Sequence, residues 1–492
     1  MTMKTKIAFA LLTGVAAIAM MQCGQDADPN GQPAEPVSTI IPVDLPTNIV
    51  PGFNFPEDSN AIYRWLNAGT GVDSFKLDSI YQHVWGIWAG LTAPTDQIYQ
   101  GDTLLVFETW LSPAELAKAI QLKTDSGAAD LLKTKSGRTL LNVPHQFSHA
   151  ALMMTNPDDT FSTEKNVFEA VAYNLPAAEY ALSKSIFRQN VIDSFYKANG
   201  IGVIPAFPSN AITTKPHYFA AKPTSNLIQI PVWPGIPDPP KAYDFPAWGT
   251  YVYADTTNSQ QPGKVLVPVT ITDPNTKPTQ AEIDAATCNL TDFIYFKMDS
   301  AMAAYMNEFS DGAQSLQGGD VAILMGMHVG TKEISNWTWQ TYYWDPTPAS
   351  PKLPGTNMSK PSQITGAAAH YSAAQAYAML APLQPISGGQ NDPSFKSVIA
   401  FNPYLEAGFG PGVFSGVKNN YNQAFQYGVQ TNCMSCHAMA AYKKGVPVNS
   451  QFNYSTDQYI DMNDTSLFAG KVQLDFAWSI LANLIPEGSG SK

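Results

Sequence analysis

Along the first third of the chain, apolar residues recur every three to four positions. "DSNAIYRWLNAG" and "KLDSIYQHVWGIWAGL", within residues 58 to 92, therefore predict two helices. "SPAELAKAIQLK" predicts another, with Ser112 ahead of Pro113 and Glu115 as a capping signal, and "DTLLVFETWL" before it reads as a strand. Residues 163 to 200, "TEKNVFEAVAYNLPAAEYALSKSIFRQNVIDSFYKANG", keep the helical period, with an interruption at Pro176 and a stop at Gly200. After that the period shortens. A Pro- and aromatic-rich stretch from Ile228 leads to "GKVLVPVTITD", read as a strand, and to a mixed stretch "TDFIYFKMDSAMAAYMNEF". "GGDVAILMGMHVGTKEISNWTWQTYYW" is an apolar strand run ending near Met325, Met327 and His328. Trp337 and Trp339 then alternate as in a half-buried strand followed by Tyr342 and Trp344. Near the carboxyl end, Leu467, Phe468, Val472, Phe476, Ile480 and Leu484 lie on one stripe of an expected helix from about Thr465 to Leu484, capped by Asp464 or Thr465. No repeat of fixed period is present. Helices first and strands in the middle predict an α+β fold, and 38 prolines with 34 glycines make it loop-rich.

Composition narrows the function classes. A chain of 492 residues, 45% hydrophobic and 11% aromatic, has ample material for a large core. Lys plus Arg number 28 against 40 Asp plus Glu, a net charge of −12 with no basic run, so nucleic acid is excluded as a partner and a basic protein is favoured. At the amino end, Lys4 and Lys6 precede an apolar run from Ile7 to Met21, the n- and h-regions of a secretory signal. Cys23 follows, ahead of a polar Gly, Asp, Asn and Pro leash, an arrangement that resembles a bacterial lipoprotein. The lipid anchor would then sit at Cys23, although Ala17-Ile18-Ala19 also suits ordinary signal cleavage. The expectation is an exported chain, in the periplasm or on the outer membrane or cell surface. Its expected organisation is a signal peptide at 1–22, a tether at 23–50, a large mixed domain at 51–425 with a possible division near 200–240, and a small segment at 426–492.

That last segment holds "TNCMSCHAMAAY". The pattern Cys-x-x-Cys-His at Cys433, Cys436 and His437 should arise by chance only ~5 × 10⁻⁴ times in a chain with 4 cysteines and 7 histidines. Three chemistries use such a pair. Zinc would need two further Cys or His ligands at short spacing, and no other histidine lies beyond residue 371. A redox dithiol would need a strand ending in a βαβ unit, which "NNYNQAFQYGVQTNCMSCHAMAAYKKG" does not offer. Haem attachment fits: on a helix the two cysteines lie one turn apart, placed to take two vinyl groups as thioethers, with His437 adjacent to ligate iron. The motif resembles that of c-type cytochromes, and this resemblance covers about sixty residues, Thr431 to Pro486. It implies one covalent haem c held by Cys433 and Cys436, His437 as the proximal iron ligand, and a small helical cytochrome c-like segment following the large domain. Met462, ahead of the last helix, takes the place where that family carries its distal iron ligand; Met325, Met327 and His328 compete for that role, with Trp337, Trp339, Tyr342 and Trp344 as aromatics for the haem edge, and Phe476 and Trp478 are candidates to contact the attachment helix.

The remaining motifs lead nowhere. His145 and His149 have the i,i+4 spacing of a metal pair without the Glu of a zinc protease, and His83 and His370 have weaker context. Asp26, Asp28, Asn30 and Gly31 open like a calcium loop but lack its flanking helices and its twelfth-position acid. "GFGPGVFSG" is broken by Pro411, and neither a Walker loop nor a G-x-S-x-G elbow occurs. The leading expectation is an exported monohaem c-type cytochrome that transfers electrons to a redox partner protein. The alternatives are a haem c-dependent oxidoreductase, peroxidase-like or substrate-oxidising, that uses the large domain as its substrate site, and a binding module in which haem is structural.

Overall fold

Residues 321 to 344 form a hairpin that carries most of the architecture. The computed structural model describes residues 40–67, 75–99, 101–121, 167–273, 275–309, 315–379, 398–409 and 431–487. The main sheet is built from β1 (Val167–Glu169), β2 (Ala172–Tyr173), β3 (Ile212–Ala221), β4 (Tyr295–Lys297), β5 (Val321–Thr331), β6 (Thr338–Trp344) and β7 (Tyr371–Ala376). Their order is β7-β6-β5-β3-β1, all antiparallel, with β4 beside the start of β5 and β2 beside the start of β3. β6, "TWQTYYW", is rich in the β-branched and aromatic residues that fit a pleated surface. Every one of its seven residues is buried, so the strand has cover on both faces rather than on one. The mixed α+β fold is plain in these elements.

Cross-strand partners share a face, which assigns the two coverings. On one face Tyr342 meets the long helix Leu77–Leu91: Tyr342 Oη donates to the Val84 carbonyl at 2.6 Å, and Trp88 stacks on Tyr342 at 4.4 Å. Two smaller helix-forming segments behave as their sequences indicate. Asp58 caps the Ser59–Leu66 helix, and Ser112 and Glu115 exchange hydrogen bonds of 2.7 and 3.2 Å at the start of Pro113–Gln121. The opposite face carries Trp339, Ala374 and Ala376, and packs against a second core that includes residues 433 to 485. A four-stranded sheet of residues 227–231, 250–255, 269–270 and 287–289 lies apart from the main one. No described helix is long and apolar enough to cross a membrane.

Several expected elements come out differently. Pro176 does not interrupt a helix but starts one, Leu175–Lys184, where its missing N–H costs nothing and Asn174 caps the turn. The residues before it are β1 and β2. The strand expected over 102–111 ends at Leu105 and becomes a 3-10 turn, and that expected over 263–273 shrinks to 269–270. The single carboxyl-terminal helix is broken into Thr465–Phe468, a strand Lys471–Gln473 and Trp478–Ala482. Gly470, Asp475 and Phe476 have φ of 70°, 47° and 68°, left-handed values that a right-handed helix cannot include. The stripe still faces inward, with Phe468, Val472, Phe476 and Ile480 buried. Strand 471–473 pairs antiparallel with 441–442 and parallel with 201–203, stitching the last sixty residues to the helical region before β3.

Candidate functional site

Cys433–Ala438 is a helix of six residues, too short to stand alone, and its start is fixed from outside. Asn432 is fully buried. Its Oδ1 accepts the Ser435 N–H at 3.1 Å, and its amide donates to the carbonyls of Ala378 and Val398 at 3.0 and 2.5 Å. The Ala400 N–H donates to the Thr431 carbonyl at 3.0 Å, Cys433 Sγ donates to the Ala400 carbonyl at 3.2 Å, and Ser435 Oγ donates to the Gln458 carbonyl at 2.6 Å. The Cys436 carbonyl receives the indole N–H of Trp478 at 3.3 Å. Cys433 is buried, whereas Cys436 and His437 are half-buried on the open side of the helix.

His437 is held on two sides. Its ring stacks on Trp339 with centroids 3.9 Å apart and planes 28° from parallel. Its Nδ1 lies 2.8 Å from the Phe476 carbonyl, which can only accept, so Nδ1 carries the proton and Nε2 presents its lone pair. Burial pushes the imidazole down to about 3, the Phe476 carbonyl pulls the other way, and His328 and Lys215 add to the lowering, so the ring is neutral at physiological pH. Neither cysteine is in a disulfide. Burial pushes the Cys436 thiol up to about 12 and Cys433 well above its usual range, and Glu406 adds to both. A reactive dithiol needs the reverse, a thiol lowered by positive surroundings. Two protonated thiols and a neutral imidazole with Nε2 free, on one helix turn, form the donor set that haem c attachment uses. Among the described residues no group of three or more His, Cys, Asp or Glu is arranged to hold a metal ion, so Cys433, Cys436 and His437 lack the further ligands of a structural zinc site.

The sheet face that bears Trp339 also bears a polar group of side chains of which sequence reasoning singled out only His328. Lys215 Nζ lies 2.6 Å from Glu169, His217 lies 3.8 Å from the same carboxylate, and His328 Nε2 bonds Glu406. Burial alone would raise Glu169, but Lys215 and His217 bring it down to about 2. His217 is lowered by its own burial, and both of its ring nitrogens lack a hydrogen bond. No motif spacing marks these residues, because Glu169, Lys215, His328 and Glu406 come from four separate elements and meet only through strand register. Asn432 was legible: an Asn directly before a helix turn is an N-cap signal.

The other sequence candidates are dispersed. Met462 is half-buried at the margin of the second core, its carbonyl accepting the Gln473 amide at 2.6 Å. His83 is buried between Tyr377 Oη at 2.6 Å and Glu333 at 3.0 Å, and His370 lies 3.7 Å from Asp292. Phe476 and Trp478 both meet the attachment helix, as described. Cys23, His145, His149, the calcium-like string and most of "GFGPGVFSG" lie outside the described residues. Comparison with protein-family models, with curated proteins and with solved structures finds no match to this chain.

Proposed function

We propose that the chain is an exported monohaem c-type cytochrome, with Cys433 and Cys436 bonded to haem c and His437 as the proximal ligand. One observation carries the reading: on the helix turn that bears both thiols, the Phe476 carbonyl fixes the His437 tautomer with the proton on Nδ1 and leaves Nε2 as the nitrogen with the lone pair. A haem bound there supplies one-electron redox chemistry at its iron. The chain's part is to orient His437 between Trp339 and Phe476, to keep both thiols protonated until they are alkylated, and to exclude water with Trp339, Phe476 and Trp478. Met462 is proposed as the distal ligand. With a net charge of −12 the electron partner is proposed to be a basic redox protein, and the location to be the periplasm or the cell surface, with a lipid at Cys23 as the only membrane attachment.

The test is expression in a bacterium that matures c-type cytochromes, followed by denaturation and a haemochrome spectrum. Covalent haem that is lost in the Cys433→Ala/Cys436→Ala pair is expected, and haem-free polypeptide from such a host refutes the reading. Met462→Ala should convert a low-spin ferric spectrum to high-spin; an unchanged spectrum moves the distal role elsewhere. A haem c-dependent oxidoreductase is the second reading, favoured by the Glu169, Lys215, His217, His328 and Glu406 group on the same sheet face. A ferric spectrum that is high-spin in the unaltered protein and responds to peroxide would select it.

A further inference from the structure

The Phe476 carbonyl reaches His437 from an unusual piece of backbone. Asp475 and Phe476 are consecutive non-glycine residues with φ of 47° and 68°, a conformation that L side chains avoid unless the surroundings enforce it. What enforces it is visible. Asp475 Oδ1 lies 2.6 Å from Lys332 Nζ, and its Oδ2 accepts the Phe207 N–H at 2.8 Å. Lys332 also donates to the Ser335 carbonyl at 2.7 Å, and both partners of the pair are nearly buried. Lys332 stands at the tip of the β5–β6 hairpin, and Trp339, seven residues further on in β6, is the ring against which His437 stacks. One hairpin therefore touches the imidazole twice, directly through the indole and indirectly through an ion pair that pins the turn behind it.

We infer that Lys332 and Asp475 are positioning residues for the proximal histidine, and that their ion pair sets the strength of the hydrogen bond from His437 Nδ1 to the Phe476 carbonyl. This rests on His437 being an iron ligand. The consequence has a sign. An accepted Nδ1 proton makes the imidazole a stronger donor, which favours ferric over ferrous iron and lowers the reduction potential. If the turn is released, the bond lengthens and the potential rises. A merely structural ion pair would alter the melting temperature and leave the potential where it was.

The experiment compares holoprotein from a maturation-competent host in three forms: unaltered, Lys332→Met/Asp475→Asn, and Glu333→Gln. The double substitution removes both charges together, so no lone buried charge is left to unfold the chain. Glu333→Gln weakens another buried pair on the same hairpin, with His83, without touching Asp475. The double variant is expected to keep covalent haem and to raise its ferrous-to-ferric ratio at fixed potential up to tenfold, about 59 mV for one electron. Its electron paramagnetic resonance g-values should shift, while those of Glu333→Gln stay put. An unchanged potential in the double variant overturns the inference, as does an equal rise in Glu333→Gln, which would mean general loosening of the hairpin. Should the double variant not fold, Lys332→Met/Asp475→Gly, which again leaves no lone buried charge and carries no side-chain cost at the left-handed turn, is read by the same two measurements and judged by the same outcomes. Absence of covalent haem in the unaltered protein would instead strike the cytochrome reading itself.

Discussion

Asn432 makes more of the site than any other single side chain. It satisfies the Ser435 N–H and donates to two buried residues' carbonyls, at Ala378 and Val398, from a position with no solvent access. Asn432→Ala would lose an N-cap worth about 1 kcal/mol and two buried hydrogen bonds worth about 0.5–1.5 kcal/mol each, so a loss of roughly 2–4 kcal/mol is expected. Chemical denaturation measures it, and a change below about 0.5 kcal/mol would show that the cap is dispensable. Gln340 presents the opposite case. It is buried in β6, and among the described residues neither its amide nitrogen nor its oxygen has a hydrogen-bond partner. Gln340→Met keeps the volume and removes the polar atoms, so it should stabilise the fold by about 1–2 kcal/mol, read as a rise in melting temperature. A destabilised Gln340→Met protein would mean that the amide is solvated.

Among the elements, the strand Lys471–Gln473 decides how the carboxyl-terminal segment is seated, and its parallel partner 201–203 fits only because Gly202 has no side chain. A Cβ there would lie 2.4 Å from the Phe195 carbonyl oxygen and 3.0 Å from Val472 Cγ2. Since the first is backbone and cannot rotate away, Gly202→Ala should cost about 1–3 kcal/mol and loosen residues 441–473 before the main sheet. Hydrogen exchange on the variant locates the loss; uniform protection throughout would refute it. The same segment shows what the sequence could reveal. Its inward stripe, Phe468, Val472, Phe476 and Ile480, was readable because burial sets residue type, but three-to-four spacing is shared by a helix and by a helix–strand–helix turn. The backbone inversions at Asp475 and Phe476 carry no residue signal, since neither is the glycine or asparagine that such φ values favour. The helices at 59–66, 77–91 and 113–121 were legible from local caps and periodicity. β6 was legible as a strand, whereas its second covering came from residues about a hundred positions away. The Cys-x-x-Cys-His turn was complete in the sequence. Trp339 as the platform under His437, and the Lys332–Asp475 pair, were not, because contacts 98 and 143 residues apart are fixed by topology.

At the scale of the whole molecule, buried carboxyls of opposite character give the protein a stability optimum in mild acid. Burial raises Glu108 from 4.5 to about 7 and Asp244 from 3.8 to about 6. A group whose folded pKa is raised contributes fully below its unfolded value, and that contribution is lost as the pH climbs through the folded value, here from about 4 to about 7. Glu169 behaves the other way. Despite its burial, Lys215 and His217 hold it at about 2 against 4.5 unfolded, so its contribution is present above about 4.5 and disappears as the pH falls towards 2. The melting temperature should therefore peak near pH 4, where the two windows meet, and decline on both sides. The two limbs separate by mutation. Glu108→Gln, which keeps an acceptor for the Leu105 N–H now bonded at 2.8 Å, should flatten the decline between about pH 4.5 and 7 without altering the acid limb. Lys215→Met, which leaves Glu169 with His217 alone, should lift the Glu169 pKa and move the acid decline to higher pH. A thermal scan of the three proteins from pH 2 to 8 measures both effects, and an acid limb that stays in place in Lys215→Met would mean that the ammonium is not what keeps Glu169 ionised.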